Sequence, residues 1–262
     1  MCGRKQDDDL SYICEITLPM RIKLKFYHYF LDGIPQYLAR HYWWAYLWRP
    51  AVWFFDHQFI INGILFFQYK KLMTTTMKRI EVIKSERILQ LSCVYGSLTP
   101  NILKSISPEI LHITDVAKVQ LDNIRRKLSG NKKLLASRMN AEQLAYKEDT
   151  FSTVVLFFLL HEMPAKARRN TLSECLRVIS PGGRLLCTEY GALPVEHFLY
   201  RCFVCRWVLI RLEPFLAGYW QEDITVLLKD LARPYGKDIE VIYHTNIFSG
   251  FYRVTEFRII DV

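Results

Sequence analysis

The segment "ILQLSCVYGSLTP", residues 88–100, contains the pattern that decides the fold. A run of β-branched and apolar residues leads into a turn of small residues. Thr99-Pro100 then opens a helix, since Thr is favoured as an N-cap and Pro in the first helical turn. A strand, a turn and a helix in this order form the first unit of α/β folds that bind a nucleotide at the turn. Gly96 is the one glycine that remains in this turn.

Strand-like and helix-like segments alternate downstream of this unit. The fourth strand, "FSTVVLFFLLHEM", is apolar throughout, as expected in the middle of a parallel sheet. Alternation of this kind predicts right-handed βαβ units in a doubly wound sheet, and the last forty residues predict two antiparallel strands that close it. We predict strands at residues 87–94, 109–116, 132–140, 151–163 and 184–191, and helices at residues 99–106, 119–128 and 164–180, with a tight turn at Pro181-Gly182-Gly183.

The N-terminal region has a different character, because it is aromatic, basic and mostly helical in period. "IPQYLARHYWWAYLWRP", residues 34–50, predicts a short helix framed by two prolines. Residues 51–72 predict a second, very apolar helix, whose greasy surface is interrupted by Asp56. We therefore expect a flexible tail at residues 1–19, an aromatic helical cap at 20–80, and an α/β domain at 81–262 with an amphipathic insertion near 196–216.

Composition limits the classes of partner. The formal net charge is +9, which favours an anionic partner such as a membrane surface or a nucleic acid. Nucleic acid is not expected, because the chain has no basic low-complexity arm and no zinc-finger or RNA-binding motif. No apolar run reaches the length that spans a bilayer, so the sequence predicts a protein that is soluble or lies on a membrane.

Two smaller features leave alternatives open. Residues 196–216 are apolar but contain Arg201, Arg206 and Arg211, which suits either a helix at a lipid interface or a helix packed on the sheet edge. The seven cysteines are odd in number and scattered, which favours reduced thiols. Cys202 and Cys205 are interpreted as buried thiols because their neighbours are apolar.

The stretch "MNAEQLAYKEDTFSTVVLFFLLHEMPAKARRNTLSECLRVISPGGRLLCTEY", residues 139–190, resembles class I S-adenosylmethionine-dependent methyltransferases, above all those that act on quinone rings. This resemblance implies a Rossmann-like fold with a mostly parallel, seven-stranded sheet. The blocks "YWWAYL", "FDHQFI" and "CVYG" together resemble the rhodoquinone biosynthesis protein family, RquA, from about Ile34 to Phe215.

That narrower resemblance implies an unusual reaction. Members of the family convert ubiquinone to rhodoquinone by replacing a ring methoxy group with an amino group taken from S-adenosylmethionine, and they use manganese. The substrate tail is lipid-soluble, so we expect a peripheral protein at the inner face of an energy-conserving membrane. This would be the matrix side of the mitochondrial inner membrane in a eukaryote and the cytoplasmic membrane in a bacterium. A homo-oligomer is left open.

Position 90 carries the chemical hypothesis. In the superfamily an acid at this position takes up the charge of the cofactor's ammonium group, and here the residue is Gln90. A carboxylate beside an amine raises the pKa of the amine, and a protonated amine cannot attack a ring carbon. Ser92 and Val94 replace the first two glycines of the superfamily loop. Either the site is decayed, or Gln90 frees the amine for transfer.

The resemblance and the strand ends together nominate the site residues. Asp115 ends the second strand, where an acid faces the ligand crevice, although it also suits a helix N-cap. His161 and Glu162 follow the fourth strand, at the expected place of catalysis, although an exposed loop pair is the alternative. Oxygen ligands with one imidazole suit Mn²⁺. The catalytic candidates are His161, Asp56, Tyr42 and Tyr95; the cofactor-binding ones are Gln90, Ser92, Cys93, Tyr95, Gly96, Asp115, Val116, Asn140, Ala141 and Phe157; the metal ligands are Asp115, His161 and Glu162; and the quinone-binding ones are Tyr42, Trp43, Trp44, Tyr46 and Asn62.

Two rival functions remain beside amino transfer to ubiquinone. The first is methylation of a quinone by S-adenosylmethionine. The second is a non-catalytic partner in quinone biosynthesis that retains the fold. Asp56 is costly to bury alone, so we expect it to pair with Arg40, Arg49 or a metal.

Overall fold

A computed structural model describes residues 33–83, 87–93, 95–105 and 110–261. The predicted tail at 1–19, the start of the predicted cap and Val94 lie outside the described residues. Seven strands are assigned in these ranges: β1 (Arg87–Leu91), β2 (Ile110–Asp115), β3 (Leu134–Arg138), β4 (Phe151–Phe157), β5 (Ile179–Tyr190), β6 (Lys237–Ile247) and β7 (Tyr252–Asp261).

The seven strands form one sheet in the order β3-β2-β1-β4-β5-β7-β6. Strands β1 to β5 pair in parallel, and β7 pairs antiparallel with both β5 and β6. Ile88, Leu89 and Leu91 of β1 and Val154 of β4 are fully buried in the centre of this sheet. The predicted α/β fold with a mostly parallel, seven-stranded sheet is confirmed. The predicted turn at 181–183 lies inside β5, where the register with β4 shifts between Phe151 and Thr153.

Eleven α-helices are assigned in the described ranges. They are α1 (Gln36–His41), α2 (Arg49–Phe55), α3 (Gln58–Ile64), α4 (Tyr69–Ile83), α5 (Leu98–Ser105), α6 (Lys118–Lys127), α7 (Ala165–Val178), α8 (Phe198–Arg201), α9 (Phe203–Leu212), α10 (Leu216–Trp220) and α11 (Ile224–Ala232), with a π-helical turn at Trp43–Leu47 and 3-10 turns at Leu160–Glu162 and Arg233–Tyr235.

The prediction of two cap helices is wrong in its boundaries. The segment 34–50 divides into α1, the π-helical turn and the start of α2, because Trp48 is extended before Pro50. The second predicted helix breaks after Phe55, where the Asp56 side chain turns to the sheet domain, and breaks again at Phe66 and Phe67, which have positive φ.

The segment 196–216 does not pack on the sheet edge as one helix. It forms α8, α9 and the first residue of α10, and no residue of α9 is buried. Cys202 is exposed and Cys205 is partly exposed, so the interpretation as buried thiols is wrong. In the described ranges, no helix has the length and apolar character needed to cross a membrane.

Candidate active site

A cavity opens at the carboxyl ends of the parallel strands, between them and the cap. Strands β1 and β4 are neighbours, and the chain winds outward in opposite directions from them, so this is the switch point where α/β sheets bind ligands. The cavity contains about 1380 Å³ of space free of protein atoms, part of it open to solvent.

In its described residues, the loop after β1 has a left-handed backbone conformation at two positions, and only one of them is a glycine. Ser92 has a φ of 68°, and its N–H donates to the carbonyl oxygen of Thr114 at 2.8 Å. Gly96 has a φ of 85°, and a Cβ atom there would lie 2.5 Å from Oη of Tyr69. Gly96 is therefore required by both its backbone and its neighbour, whereas Ser92 adopts a conformation that costs a non-glycine residue energy.

Asp56 fastens this loop instead of facing the cavity. Its Oδ1 accepts a hydrogen bond from the N–H of Gly96 at 3.0 Å and forms an ion pair with Nζ of Lys127. Its Oδ2 accepts from Nδ2 of Asn123 at 3.1 Å. The expectation that Asp56 has a partner is confirmed, but the partner is Lys127 rather than Arg40, Arg49 or a metal. Asp56 does not line the cavity, which does not support its catalytic assignment.

Gln90 also lies away from the cavity. Its side chain is fully buried, its Nε2 donates to the carbonyl oxygen of Ser92 at 3.1 Å, and its Oε1 accepts from Oγ1 of Thr99 at 3.0 Å. Both polar atoms are thus engaged by the protein. The prediction that Gln90 touches the cofactor amine directly is not supported by this geometry.

Asp115 both lines the cavity and braces two loops. Its Oδ2 accepts from the N–H of Cys93 at 2.8 Å, and its Oδ1 accepts from the N–H of Ala117 at 2.7 Å. Burial raises the pKa of Asp115 to about 6, although these backbone donors favour the carboxylate. The ribose-binding prediction stays a prediction, because Asp115 lines the cavity but its carboxylate is also used by these backbone donors.

Aromatic side chains form the wall on the cap side. The rings of Tyr46 and Tyr95 stack with centroids 5.7 Å apart and planes inclined by 14°. Tyr95 Oη donates to the carbonyl oxygen of Ala45 at 2.5 Å and accepts from Nε2 of Gln120 at 2.9 Å. The cap is therefore tied to the β1 loop and to α6 through Tyr95. A flat, apolar ring fits against such a wall.

A buried acidic cluster with one imidazole lies beside that wall. His161 Nδ1 donates to Oε2 of Glu189 at 2.8 Å, and its Nε2 lies 3.8 Å from Oε2 of Glu213. The other Glu189 oxygen accepts the N–H groups of Leu159 and Leu160, each at 2.6 Å. Glu189 therefore fixes the ring of His161 and leaves Nε2 facing the cavity. The alternative of an exposed loop pair is excluded, since His161 is buried.

Two tyrosines of the cap reach the same cluster. Tyr46 Oη donates to Oε1 of Glu162, and Tyr42 Oη donates to Oε2 of Glu213 at 3.0 Å. Glu162 is held at the end of β4 by the 3-10 turn, whereas Glu213 arrives from the segment after α9. Three distant parts of the chain thus complete one polar cluster.

Burial and the neighbouring charges shift the pKa values of the groups in the cluster. Burial lowers the pKa of His161, but the Glu189 carboxylate, with Glu213 and Glu162, outweighs burial and raises it to about 9. Burial raises the pKa of Glu162 to about 8, against the opposing effect of His161. Burial likewise raises the pKa of Glu213. At neutral pH the imidazole is therefore protonated, and the two carboxyl groups of Glu162 and Glu213 bind protons more readily than usual.

The same three residues have the donor set of a metal site. One ligand atom each from His161, Glu162 and Glu213 lies within 4.8 Å of the others. Two carboxylates and one imidazole suit Mn²⁺ once they have lost their protons. Asp115, which the sequence nominated as a ligand, is not part of this group; Glu213 takes its place.

The cavity brings together most of the nominated residues and leaves some out. Gly96, Asp56, Gln90, Trp43 and Asn62 do not line it; Trp43 is exposed. Sequence reasoning missed Glu213, because the acid lies in an apolar segment with no pattern of its own. The nominated residues that line the cavity are Tyr42, Trp44, Tyr46, Ser92, Cys93, Tyr95, Asp115, Val116, Asn140, Ala141, Phe157, His161 and Glu162.

Known proteins share this domain. Residues 88–183 match the family model described as a methyltransferase domain. The chain is 29% identical over 120 residues to the demethylmenaquinone methyltransferase of Clavibacter sepedonicus, covering 46% of this chain and 47% of that protein. It is 30% identical over 153 residues to the demethylmenaquinone methyltransferase of Halalkalibacterium halodurans, covering 54% of this chain and 59% of that protein. The chain thus spans about half the length of these relatives.

Solved structures share the fold. The N-methyltransferase NodS from Bradyrhizobium japonicum WM9, in complex with S-adenosyl-L-homocysteine, matches with a TM-score of 0.51 at 12% identity, over 72% of this chain and 86% of that chain. A protein from Pyrococcus horikoshii OT3 matches with a TM-score of 0.53 at 11% identity, over 86% and 99% of the two chains. The chain therefore has the class I methyltransferase fold, within which residues 88–183 match a methyltransferase domain.

Proposed function

We propose that this chain transfers an amino group from S-adenosylmethionine to the ring of a ubiquinone-type quinone, in place of a methoxy group. The observation that carries the proposal is the cluster of His161, Glu162 and Glu213, which lies inside an aromatic cavity beside the β1 loop. Methyl transfer needs little more than alignment of donor and acceptor. Exchange of a methoxy group for an amine also requires proton transfers, and this cluster holds groups that take and give protons near neutral pH.

The binding arrangement follows from the two sides of the cavity. S-adenosylmethionine would lie along Ser92, Cys93 and Asp115, as expected for the carboxyl ends of β1 and β2. The quinone ring would lie against Tyr46 and Tyr95 on the cap side. The resemblance to the rhodoquinone biosynthesis family supports this assignment, and the departures from glycine in the β1 loop agree with a donor that presents its amine.

The exchange balances without an added oxidant. The amine nitrogen bonds to the ring carbon, a carboxylate of Glu162 or Glu213 accepts the amine proton, and the carbon–oxygen bond to the methoxy group breaks. Protonated His161 supplies a proton so that methanol leaves. Release of the aminoquinone is an elimination: the bond between nitrogen and the donor's α-carbon breaks, the donor's β-carbon loses a proton, a double bond forms between these two carbons, and the nitrogen gains a proton. A divalent ion held by His161, Glu162 and Glu213 would take the place of the His161 proton and would instead supply polarisation of a quinone carbonyl oxygen.

Methylation of a quinone is the second candidate, because the relatives reported above are named demethylmenaquinone methyltransferases. The two reactions are distinguished by the mass of the product. Replacement of methoxy by amine lowers the mass, and methylation raises it. Only amino transfer carries nitrogen from the donor into the quinone.

The test is incubation of the full chain with a ubiquinone in detergent, Mn²⁺ and S-adenosylmethionine labelled with ¹⁵N at the α-amino group. We expect a lighter quinone that contains ¹⁵N. His161→Gln should abolish this product, whereas His244→Gln, at an exposed position of the edge strand β6, should not. A heavier, unlabelled product in a parallel incubation with a demethylmenaquinone, whose ring keeps an unsubstituted carbon, would favour methylation. Failure to bind S-adenosylmethionine in calorimetry would favour a non-catalytic partner.

A further inference from the structure

We propose that the groove between α1 and α9 binds the phosphodiester headgroup of an anionic phospholipid and so seats the chain on a membrane leaflet. The groove is separate from the acidic cluster. It is lined by Arg40, His41, Trp44, Phe203, Arg206, Trp207, Ile210, Arg211, Leu212 and Pro214.

The charged residues of the groove are three arginines. Arg40 comes from α1, and Arg206 and Arg211 come from α9. No carboxylate lines the groove, and no ion pair within the described ranges involves any of these arginines. Arg206 also lies 5.1 Å from the centroid of the Tyr200 ring. Three guanidinium groups without acidic partners complement a phosphate, which they bind through paired N–H donors.

The walls of the groove are apolar and face solvent. Phe203 is 69% exposed, Trp207 is 59% exposed and Leu212 is 50% exposed. In α9, Cys205 and Leu209 are partly buried against the core and no residue is fully buried, so most of the helix surface faces solvent. Arginines beside large exposed apolar side chains allow those side chains to enter the headgroup region while the guanidinium groups reach lipid phosphates. A free anion would satisfy the arginines but would leave these side chains in water.

The length of α9 agrees with a helix that lies on the membrane rather than crossing it. Its ten residues extend over roughly 15 Å, about half the hydrocarbon thickness. Trp44 lines both this groove and the main cavity, so the bound leaflet would adjoin the cavity wall. If the proposed function holds, a lipid-soluble quinone enters from that leaflet, but the headgroup site does not depend on the reaction.

Vesicle flotation of the full chain tests the proposal. We expect binding to vesicles of phosphatidylcholine mixed with phosphatidylglycerol, weaker binding at high salt, and much weaker binding to phosphatidylcholine alone. Arg206→Gln with Arg211→Gln should lower the partition coefficient by roughly thirtyfold, since each removed arginine lowers it several-fold. Phe203→Ser with Trp207→Ser should weaken binding to both kinds of vesicle.

The matched control is Lys166→Gln with Lys229→Gln, which removes the same charge from exposed positions on α7 and α11. It should change the partition coefficient less than threefold. An equal loss in the control and in the arginine variant would overturn the proposal, because the effect would then follow net charge. Loss of vesicle binding on adding inorganic phosphate at constant ionic strength would show a soluble-anion site.

Sedimentation of the protein without vesicles tests whether a second copy of the chain occupies the groove. A dimer that the arginine or aromatic variants convert to a monomer would show that a second copy covers the groove, and would overturn the lipid assignment. The mass-spectrometric assay in detergent reads the reaction separately. Membrane binding and amino transfer can therefore fail independently of each other.

Discussion

Gln90 supports the loop after β1 from inside the protein. Its amide group bridges the carbonyl oxygen of Ser92 and the hydroxyl group of Thr99, at the two ends of the loop. An amide both donates and accepts, as these two neighbours require. A carboxylate cannot donate to the Ser92 oxygen, so the residue type at this position follows from hydrogen bonding within the loop.

Substitution of Gln90 should therefore lower the stability of the fold and should not act directly on the reaction. We expect Gln90→Leu to lower the free energy of unfolding by about 1–3 kcal/mol, because two buried polar groups lose their partner. Gln90→Glu should be comparably destabilising, since its charge is buried against a carbonyl oxygen. Urea unfolding measures both. A stable Gln90→Glu protein whose amino-transfer rate shifts to higher pH would instead restore the hypothesis of a direct contact with the amine.

At the scale of elements, Gly96 joins the β1 loop to the cap helix α4. Gly96→Ala should destabilise the protein by roughly 3 kcal/mol or more, because left-handed strain is added to a clash with Tyr69. Gly130→Ala is the control, since Gly130 has a similar φ of 81° but no atom within 4 Å of the added Cβ. It should cost roughly 1–2 kcal/mol. Equal losses in thermal or urea unfolding would show that the contact with Tyr69 relaxes freely.

The end of α2 is fastened to the same loop by Asp56. We expect Asp56→Ala to lower the free energy of unfolding by about 1–3 kcal/mol and to weaken binding of S-adenosylhomocysteine in calorimetry, because one bond to the loop and two to α6 are lost. Asp122→Ala removes an acid that pairs with exposed Arg49 at 3.8 Å. It should change stability by less than about 0.5 kcal/mol. Unchanged S-adenosylhomocysteine binding in Asp56→Ala would show that the contacts of Asp56 do not support the cofactor site.

For the whole molecule, the acidic cluster predicts a pH dependence of stability. His161 has its pKa raised from 6.5 to about 9, and Glu162 from 4.5 to about 8. The folded state thus retains protons that the unfolded chain has lost. The stabilisation from His161 is complete below pH 6.5 and is lost as pH rises through 9, with a slope of at most about 1.4 kcal/mol per pH unit for one proton.

Urea unfolding of the metal-free protein across this range measures the slope. We expect His161→Gln to reduce the slope between pH 6.5 and 9 by the contribution of one proton, while the contribution of Glu162 remains. His244→Gln should leave it unchanged. The same slope in wild type and in His161→Gln would mean that other groups bind these protons.

A metal bound by the cluster would make the pH dependence of stability run the other way, with more stabilisation at higher pH. Mn²⁺ should raise the thermal midpoint more at pH 8 than at pH 6, because Glu162 and Glu213 must be ionised to coordinate it. Glu162→Gln with Glu213→Gln should remove the shift. Asp115→Asn should retain it, since Asp115 lies outside the cluster. A shift that depends on Asp115 and not on Glu213 would restore the ligand set nominated from the sequence.

Much of the fold is readable from short stretches of chain. The apolar run of β4 indicates a buried strand, and the acid after β2 indicates the end of that strand. The alternation of helices and strands then leaves few possible topologies. The breaks in the cap were not readable in this way. Asp56 resembles a single interruption in an apolar helix, and its effect on α2 depends on Gly96 and Lys127, which lie far along the chain.

The sequence by itself determined the α/β order of the chain and the position of Asp115 at the end of β2, because both follow from the local alternation of strand-like and helix-like segments. The predicted fourth strand, 151–163, was too long, since β4 ends at Phe157 and His161 and Glu162 lie in the 3-10 turn that follows. Only the tertiary structure decided that Glu213 joins the cluster and that Gln90 is turned away from the cavity. Both depend on side-chain directions and on contacts between segments distant in sequence. A buried charge needs a partner, but nothing in a one-dimensional pattern specifies which distant residue provides it.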